Sequence, residues 1–351
     1  MKKKKTITYS DAGVNIDTWE SMAKGIARKV RSTFSSRVMS EIGLFGGLFD
    51  IANTGMKHPT LVASMDSVGT KVKLAAMMDI HDTVGQDIVA HCANDIVVQG
   101  AKPLFFMDYI GCSKLTERMG LEIIDGLVKG CKRAGCSLLG GETAEMPGIY
   151  SNKEYDLVGT IVGIVDKKKI IEGKKVRAGD VLIGLPSSGL HTNGYSLARK
   201  LFFEVAKYKP NKKLPELECT VGEELLKIHR DYSKTILNLL EKFSINALAH
   251  ITGGGFPGNI PRVVPKGLRV IIDRGAWEPL PVFKIMQEIG NVPDDEMYRT
   301  FNMGIGMVII VSEKQVKDIL GFFRRKRLKS SIIGHVEKCS SRVAKRLIYS
   351  D

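Results

Sequence analysis

Between Gly85 and Gln99 the chain carries Ile88, Val89, Ala90, Cys92, Ala93, Ile96 and Val97 around most of a helical wheel. Asp87, His91, Asn94 and Asp95 share the remaining arc of about 100°, with Val98 the one apolar intruder. A helix of this kind wants burial on nearly every side, so it belongs inside a layered body. Its narrow stripe, with two carboxylates, must then find a cation, a hydrogen-bond partner or water. A metal ion or a nucleotide phosphate is one answer, and an ordinary solvent-facing stripe is the other.

The segments around this helix alternate in kind. Strand-like runs at Leu61–Met65, Pro103–Ile110 and Asp156–Val165 are separated by the stripe helix and by a helix from Glu117 to Lys132, with a short apolar run at Cys136–Leu139. A further helix is expected from Thr18 to about Arg31. Lys167–Gly179 is polar, basic and glycine-containing, and reads as a linker. The pattern then restarts: strands at Val181–Leu185, Ala247–Ile251, Leu268–Ile272, Gly304–Val311 and Ser331–Val336, and helices at Tyr195–Phe203, Gly222–Phe243, Pro281–Ile289 and Glu313–Phe323. The expected fold class is α/β (α+β) in two domains of similar length, residues 1–170 and 171–351.

Composition narrows the classes of function. Lys and Arg number 52 against 38 Asp and Glu, a formal net charge of +14. The basic clusters Lys2–Lys5, Lys167–Lys169 and Arg324–Arg327 lack interleaved aromatics, so they read as solvated surface and nucleic acid is not an expected partner. The six cysteines contain no C-x-x-C pair and are expected to be free thiols of a cytoplasmic protein. Thr6–Asp11 after the lysine run is no apolar signal core, and no apolar stretch reaches the ~18 residues a membrane span needs.

Chemistry concentrates in turns at strand ends. In Ser64-Met65-Asp66-Ser67-Val68-Gly69-Thr70-Lys71 an apolar strand ends in an Asp, and a turn leads to Lys71. Ligands of α/β proteins bind at such ends, where an Asp can hold Mg²⁺ and a Lys can meet a phosphate. A helix-capping Asp with a surface Lys explains the same residues. Gly140-Gly141-Glu142 follows Leu138-Leu139, where Glu142 can bind a metal or a ligand amine, or sit in a plain loop between strands. Thr192-Asn193-Gly194 and Thr252-Gly253-Gly254-Gly255 each precede a helix and can present backbone N–H groups to an anion. His58, His81, His229 and His335 have no partner pattern and read as ordinary surface or core histidines.

These segments resemble the AIR synthetase family, the phosphoribosylformylglycinamidine cyclo-ligases. The resemblance runs through Tyr9–Val14, Asp66–Lys71, Asn94-Asp95 with Val98–Ala101, Pro103–Phe106 with Asp108-Tyr109, Gly140–Gly148, Ser187–Tyr195, His250–Phe256 and Glu296–Asn302 before Gly304–Met307. It implies a homodimer whose N-terminal domains pair into a β-barrel-like core, with α+β C-terminal domains outside. The implied reaction is ATP-dependent ring closure of formylglycinamidine ribonucleotide to 5-aminoimidazole ribonucleotide in purine biosynthesis. By the same resemblance Asp66, Asp95 and Glu142 are Mg²⁺ or nucleotide-site carboxylates and Lys71 a phosphate partner. Asn94 is a polar support. Gly46 and Gly47 form a flexible loop near the nucleotide, and Gly69, Thr70, Gly140 and Gly141 complete its turns. Thr192, Asn193 and Thr252 through Gly255 hold phosphate or the ribonucleotide. The chain departs from the family pattern at Ser67, where Gly is usual, and at Ile228-His229-Arg230, where Pro-Thr is usual before Arg; both imply altered kinetics.

Overall fold

The computed structural model describes residues 25–42, 45–340 and 345–350. The lysine run, the Tyr9–Val14 motif and the start of the expected first helix lie outside the described residues; residues 25–31 of that helix are helical.

Four strands, β1 (Pro59–Ser67), β2 (Lys102–Cys112), β3 (Ser137–Glu145) and β4 (Tyr155–Asp166), form the first sheet in the order β1-β4-β2-β3. β4 is antiparallel to both neighbours, whereas β2 and β3 run parallel and need a crossover, supplied by helix α3 (Glu117–Ala134). Gly135 ends that helix at φ 78°, a conformation that favours glycine. Helices α1 (Lys71–Met78) and α2 (Asp82–Val97) join β1 to β2. α2 and α3 cross at glycines: a Cβ on Gly85 would stand 2.5 Å from the Ile123 carbonyl, and one on Gly126 2.4 Å from that of Asp82. α2 is therefore held between α3 and the sheet, and its apolar positions are buried as its wheel requires.

The second sheet has the order β12-β9-β11-β5-β10-β8. Its strands are β5 (Val181–Pro186), β8 (Ala247–His250), β9 (Leu268–Asp273), β10 (Ile305–Val311), β11 (Ser331–Lys338) and β12 (Leu347–Ser350), while β6 (Lys213–Leu214) and β7 (Cys219–Thr220) make a separate short hairpin. All pairings in the large sheet are antiparallel except β12 with β9. β10 is apolar apart from Gly306 and buried at every position, as befits an interior strand. Helix α4 (Tyr195–Arg199) runs on into a π-helical turn, Lys200–Val205.

Two expectations need correction. The helix expected over Gly222–Phe243 is two helices, α5 (Val221–Leu225) and α6 (Ser233–Leu240), because the intervening backbone is captured by side chains of α2. The Gly140-Gly141 segment is not a loop but the middle of β3. Helices α7 (Gly255–Asn259), α8 (Pro281–Gly290), α9 (Asp294–Thr300) and α10 (Val316–Arg325) complete the second half.

The first sheet covers α2 with one face only. On its other face Leu61, Met65 and Met107 are exposed at 55%, 69% and 39%, an apolar surface left open among the described residues. Among the described residues no helix is long and apolar enough to cross a membrane.

Candidate active site

The polar stripe of α2 faces the second half of the chain, and each of its four residues holds a different part of it. Asp87 Oδ1 accepts the backbone N–H of His229 at 2.7 Å, and Asp87 Oδ2 pairs with Lys71 Nζ, also at 2.7 Å. Asn94 Oδ1 accepts the N–H of Tyr232 at 2.8 Å while its amide nitrogen donates to the Arg230 carbonyl at 2.9 Å. His91 Nδ1 meets Thr192 Oγ1 at 2.7 Å. Asp95 Oδ1 lies 2.7 Å from His250 Nδ1, at the end of β8. The stripe thus finds both of the partners its chemistry demanded, a cation and hydrogen bonds.

Asp66 joins this cluster from β1: its Oδ2 is 3.3 Å from His91 Nε2, which is also 3.8 Å from Asp95 Oδ2. Ser64, two residues earlier on the same strand face, reaches Asp95 Oδ2 at 3.4 Å. Four histidines converge here. His191 stacks on His229 at 3.9 Å between ring centroids, and His229 Nε2 lies 3.1 Å from His250 Nε2. Burial pushes the imidazoles of His91, His191 and His229 below their ordinary value. For Asp95 burial acts upward, yet the hydrogen bond and charge of His250 outweigh it and hold the carboxyl below the usual range.

Lys71, expected to meet a phosphate, is wholly buried. Its ammonium is taken by Asp87, by the Lys227 carbonyl at 2.8 Å and by the His191 carbonyl at 3.3 Å, which leaves it no open side toward a ligand. Burial lowers its pKa and raises that of Asp87. Gly69 makes the turn at φ 68°, and Thr70 Oγ1 reaches Ser196 Oγ at 3.1 Å, so this turn abuts α4.

Glu142 does not join Asp66 and Asp95. Cross-strand partners Asp66, Gly159, Asp108 and Gly141 form one row on the helix-facing side of the first sheet. Glu142 follows Gly141 and points to the opposite face, beside Tyr109. It also stands three strands from β1, about 14 Å at ~4.8 Å per strand. Gly141 is fitted against Asp108, whose Oδ1 would be 2.4 Å from a Cβ there. Gly47 lies against Leu139 at the head of β3, whereas a Cβ on Gly46 would meet open space.

In the second half Asn193 and Gly253 come together, with Asn193 Oδ1 3.1 Å from where a Gly253 Cβ would sit. The Asn259 amide ties the carbonyls of Thr252, Gly253 and Gly255 into one turn, and Gly254 and Gly255 adopt φ 90° and 56°. The structure therefore gathers Asp66, Asp95, Thr192 and Asn193 with the Thr252–Gly255 turn near the α2 stripe. A cavity of about 850 Å³ opens elsewhere, between the Lys167–Lys175 passage and α6, and includes none of these residues. Sequence reasoning missed His229, which is buried and central; its one signal was its place in the departure Ile228-His229-Arg230.

Comparison with known proteins sets this geometry in a class. Residues 50–165 match the N-terminal domain of the AIR synthase related proteins and residues 177–345 their C-terminal domain. Solved structures share the fold: thiamine-monophosphate kinase from Stenotrophomonas maltophilia, with a TM-score of 0.67, 14% identity and 92% and 95% of the two chains covered, is one. Hydrogenase maturation protein HypE in complex with ATP, at TM-score 0.67, 15% identity and 97% and 93% coverage, is another. Far more similar in sequence is the phosphoribosylformylglycinamidine cyclo-ligase of Syntrophotalea carbinolica, 52% identical over 338 residues, 96% of this chain and 97% of that one. The cyclo-ligase of Geobacter metallireducens is 51% identical over 337 residues (96% and 97%), and that of Bacillus mycoides 50% over 327 (93% and 94%). The chain belongs to the phosphoribosylformylglycinamidine cyclo-ligase family.

Proposed function

We propose that the cleft beside the α2 stripe binds ATP and formylglycinamidine ribonucleotide and closes the imidazole ring, giving 5-aminoimidazole ribonucleotide, ADP and phosphate. The observation that carries this reading is identity of about half to cyclo-ligases over nearly the full length of each chain. A formamide oxygen is a poor leaving group until it is phosphorylated; once it is, the amidine-derived nitrogen can attack the same carbon. Positioning both ends of one substrate then supplies most of the acceleration.

Asp66 and Asp95 fit a shared Mg²⁺, since such an ion is usually held by one or two carboxylates together with substrate phosphates. That ion would neutralise phosphate charge during transfer. Glu142 would take part only from another place in the assembly. Thr192 and Asn193, with the Thr252–Gly255 turn, are read as the cradle of the ribonucleotide phosphate, and Gly46-Gly47 as a loop that adapts to the nucleotide. Lys71 is read as a strut that fixes the Asp66–Thr70 turn against the second half, and Asn94 as the anchor of residues 229–232.

The uncovered apolar face of the first sheet supports a homodimer joined there, with residues 1–170 as the pairing domain and 171–351 outside. Six described cysteines, all free thiols, agree with a cytoplasmic enzyme.

The direct test is turnover: the purified chain with formylglycinamidine ribonucleotide, ATP and Mg²⁺, with the aminoimidazole product followed by diazotisation. Product that requires all three components is expected. Its absence from folded, ATP-binding protein would overturn the substrate assignment.

A further inference from the structure

Two imidazoles and a carboxylate meet where the two halves touch, and this donor set differs from the all-oxygen shell that a hard cation prefers. One ligand atom from each of His91, Asp95 and His250 lies within 4.8 Å of the others. The individual separations are 2.7 Å from His250 Nδ1 to Asp95 Oδ1 and 3.8 Å from His91 Nε2 to Asp95 Oδ2. Zinc–ligand bonds of 2.0–2.1 Å in a tetrahedron place neighbouring donors about 3.3 Å apart, inside this range. The rings of His91 and His250 stand at 90° to each other with centroids 5.4 Å apart.

The neighbours complete the arrangement. A metal-bound imidazole gives its other N–H to an acceptor, which fixes the tautomer. His91 Nδ1 has Thr192 Oγ1 at 2.7 Å, and His250 Nε2 has His229 Nε2 at 3.1 Å. Asn94 settles which way His229 faces. Its Oδ1 is committed to the Tyr232 N–H, so its amide nitrogen is the group 3.3 Å from His229 Nε2, which must accept. His229 Nδ1–H is then free to donate to Thr192 Oγ1 at 3.4 Å. Asp66, beside His91 and with its side chain 40% exposed, marks the side open to solvent, so an ion has an entry path. A second trio, His191, His229 and His250, is as close, but His191 and His229 stack at 17° and their in-plane lone pairs run side by side rather than converging.

We propose that His91 Nε2, His250 Nδ1 and Asp95 form a three-donor site for a divalent first-row transition metal. Two nitrogen donors move the preference away from Mg²⁺ and toward Zn²⁺, Co²⁺ and their neighbours. An ion here shares Asp95 with the Mg²⁺ site assigned above. The proposal does not depend on that assignment, because its test uses metal alone.

The experiment is equilibrium dialysis of the full, nucleotide-free chain against Zn²⁺, together with visible spectroscopy of the Co²⁺ form. One ion per chain is expected, with a tetrahedral Co²⁺ band and no thiolate charge-transfer band. His91→Gln and His250→Gln should each weaken Zn²⁺ binding at least tenfold. His229→Ala should weaken it roughly 10- to 100-fold, as loss of a supporting partner does. A thiolate band, or affinity unchanged in the His91→Gln/His250→Gln double variant, would overturn the site. Should those variants fail to fold, X-ray absorption of the wild-type Zn²⁺ protein decides: two imidazoles support the site, and fewer refute it.

Discussion

Lys71 Nζ lies 2.7 Å from Asp87 Oδ2, and both side chains are fully shielded from solvent. Removing one member of such a pair strands a buried charge, at about 3–5 kcal/mol, whereas replacing both with apolar groups is often neutral. Lys71→Met and Asp87→Leu should each destabilise the chain by that amount in urea unfolding, and the double variant should regain most of the loss. A Lys71→Met protein of unchanged stability but raised KM for ATP would restore the phosphate role to this lysine.

Asp108 is buried on β2 against Gly141, and burial pushes its carboxyl up to about 7. In the unfolded chain the group titrates near 4. Between these values the folded state holds the extra proton, so stability is greatest at low pH and falls as pH rises from about 4 to about 7. A shift of about three units corresponds to at most ~4 kcal/mol. Asp108→Asn should remove this component; comparison of its Tm with wild type at pH 5 and pH 8 should show the larger gain at pH 8. An equal change at both values would mean the carboxyl does not titrate there.

Gly255 and Gly46 are predicted to part company on substitution. A Cβ at Gly255 would stand 2.0 Å from the Tyr298 carbonyl at φ 56°, while one at Gly46 would touch nothing within 4 Å. Gly255→Ala should therefore lose more than about 3 kcal/mol, in the range of severe backbone mutations. Gly46→Ala should melt within about 1 kcal/mol of wild type. Any loss of turnover in Gly46→Ala then reports on loop movement and not on folding.

The exposed face of the first sheet gives a fourth test. Met65→Lys and Leu61→Lys place charge on the surface proposed to pair, opposite the side that packs on α2. The double variant should sediment as a monomer while keeping its far-ultraviolet spectrum. Retention of the wild-type mass would move the interface elsewhere.

The α2 stripe was legible in the sequence because helical periodicity alone separates Asp87, His91, Asn94 and Asp95 from seven apolar neighbours. The alternation of strands and helices was legible for the same reason. The break at residues 226–232 was not: Leu225, Leu226, Tyr232, Ile236 and Leu239 keep a helical rhythm through it. What ends the helix is distant, the capture of the His229 and Tyr232 N–H groups by Asp87 and Asn94. The separation of Glu142 from Asp66 and Asp95 was not legible for another reason. The pairing of β2 with β3 slips between Phe106 and Met107, so Leu138 faces Phe106 but Gly140 faces Met107. One extra residue reverses every side chain beyond it, and strict alternation would have turned Glu142 inward. His229 was read as solitary because its partners lie 38 residues back and 21 ahead, at His191 and His250.

The stripe also orders events during synthesis. α2 leaves the ribosome about a hundred residues ahead of His191, and further still ahead of Lys227 and Tyr232. Until those arrive, Asp87 and Asn94 have no backbone to hold, and Lys71 lacks the carbonyls that share its charge. The leading half is thus born with a wet seam along its most buried helix. It can collapse early, but it cannot dry that seam until the trailing half docks, and completion of the fold coincides with assembly of the cleft.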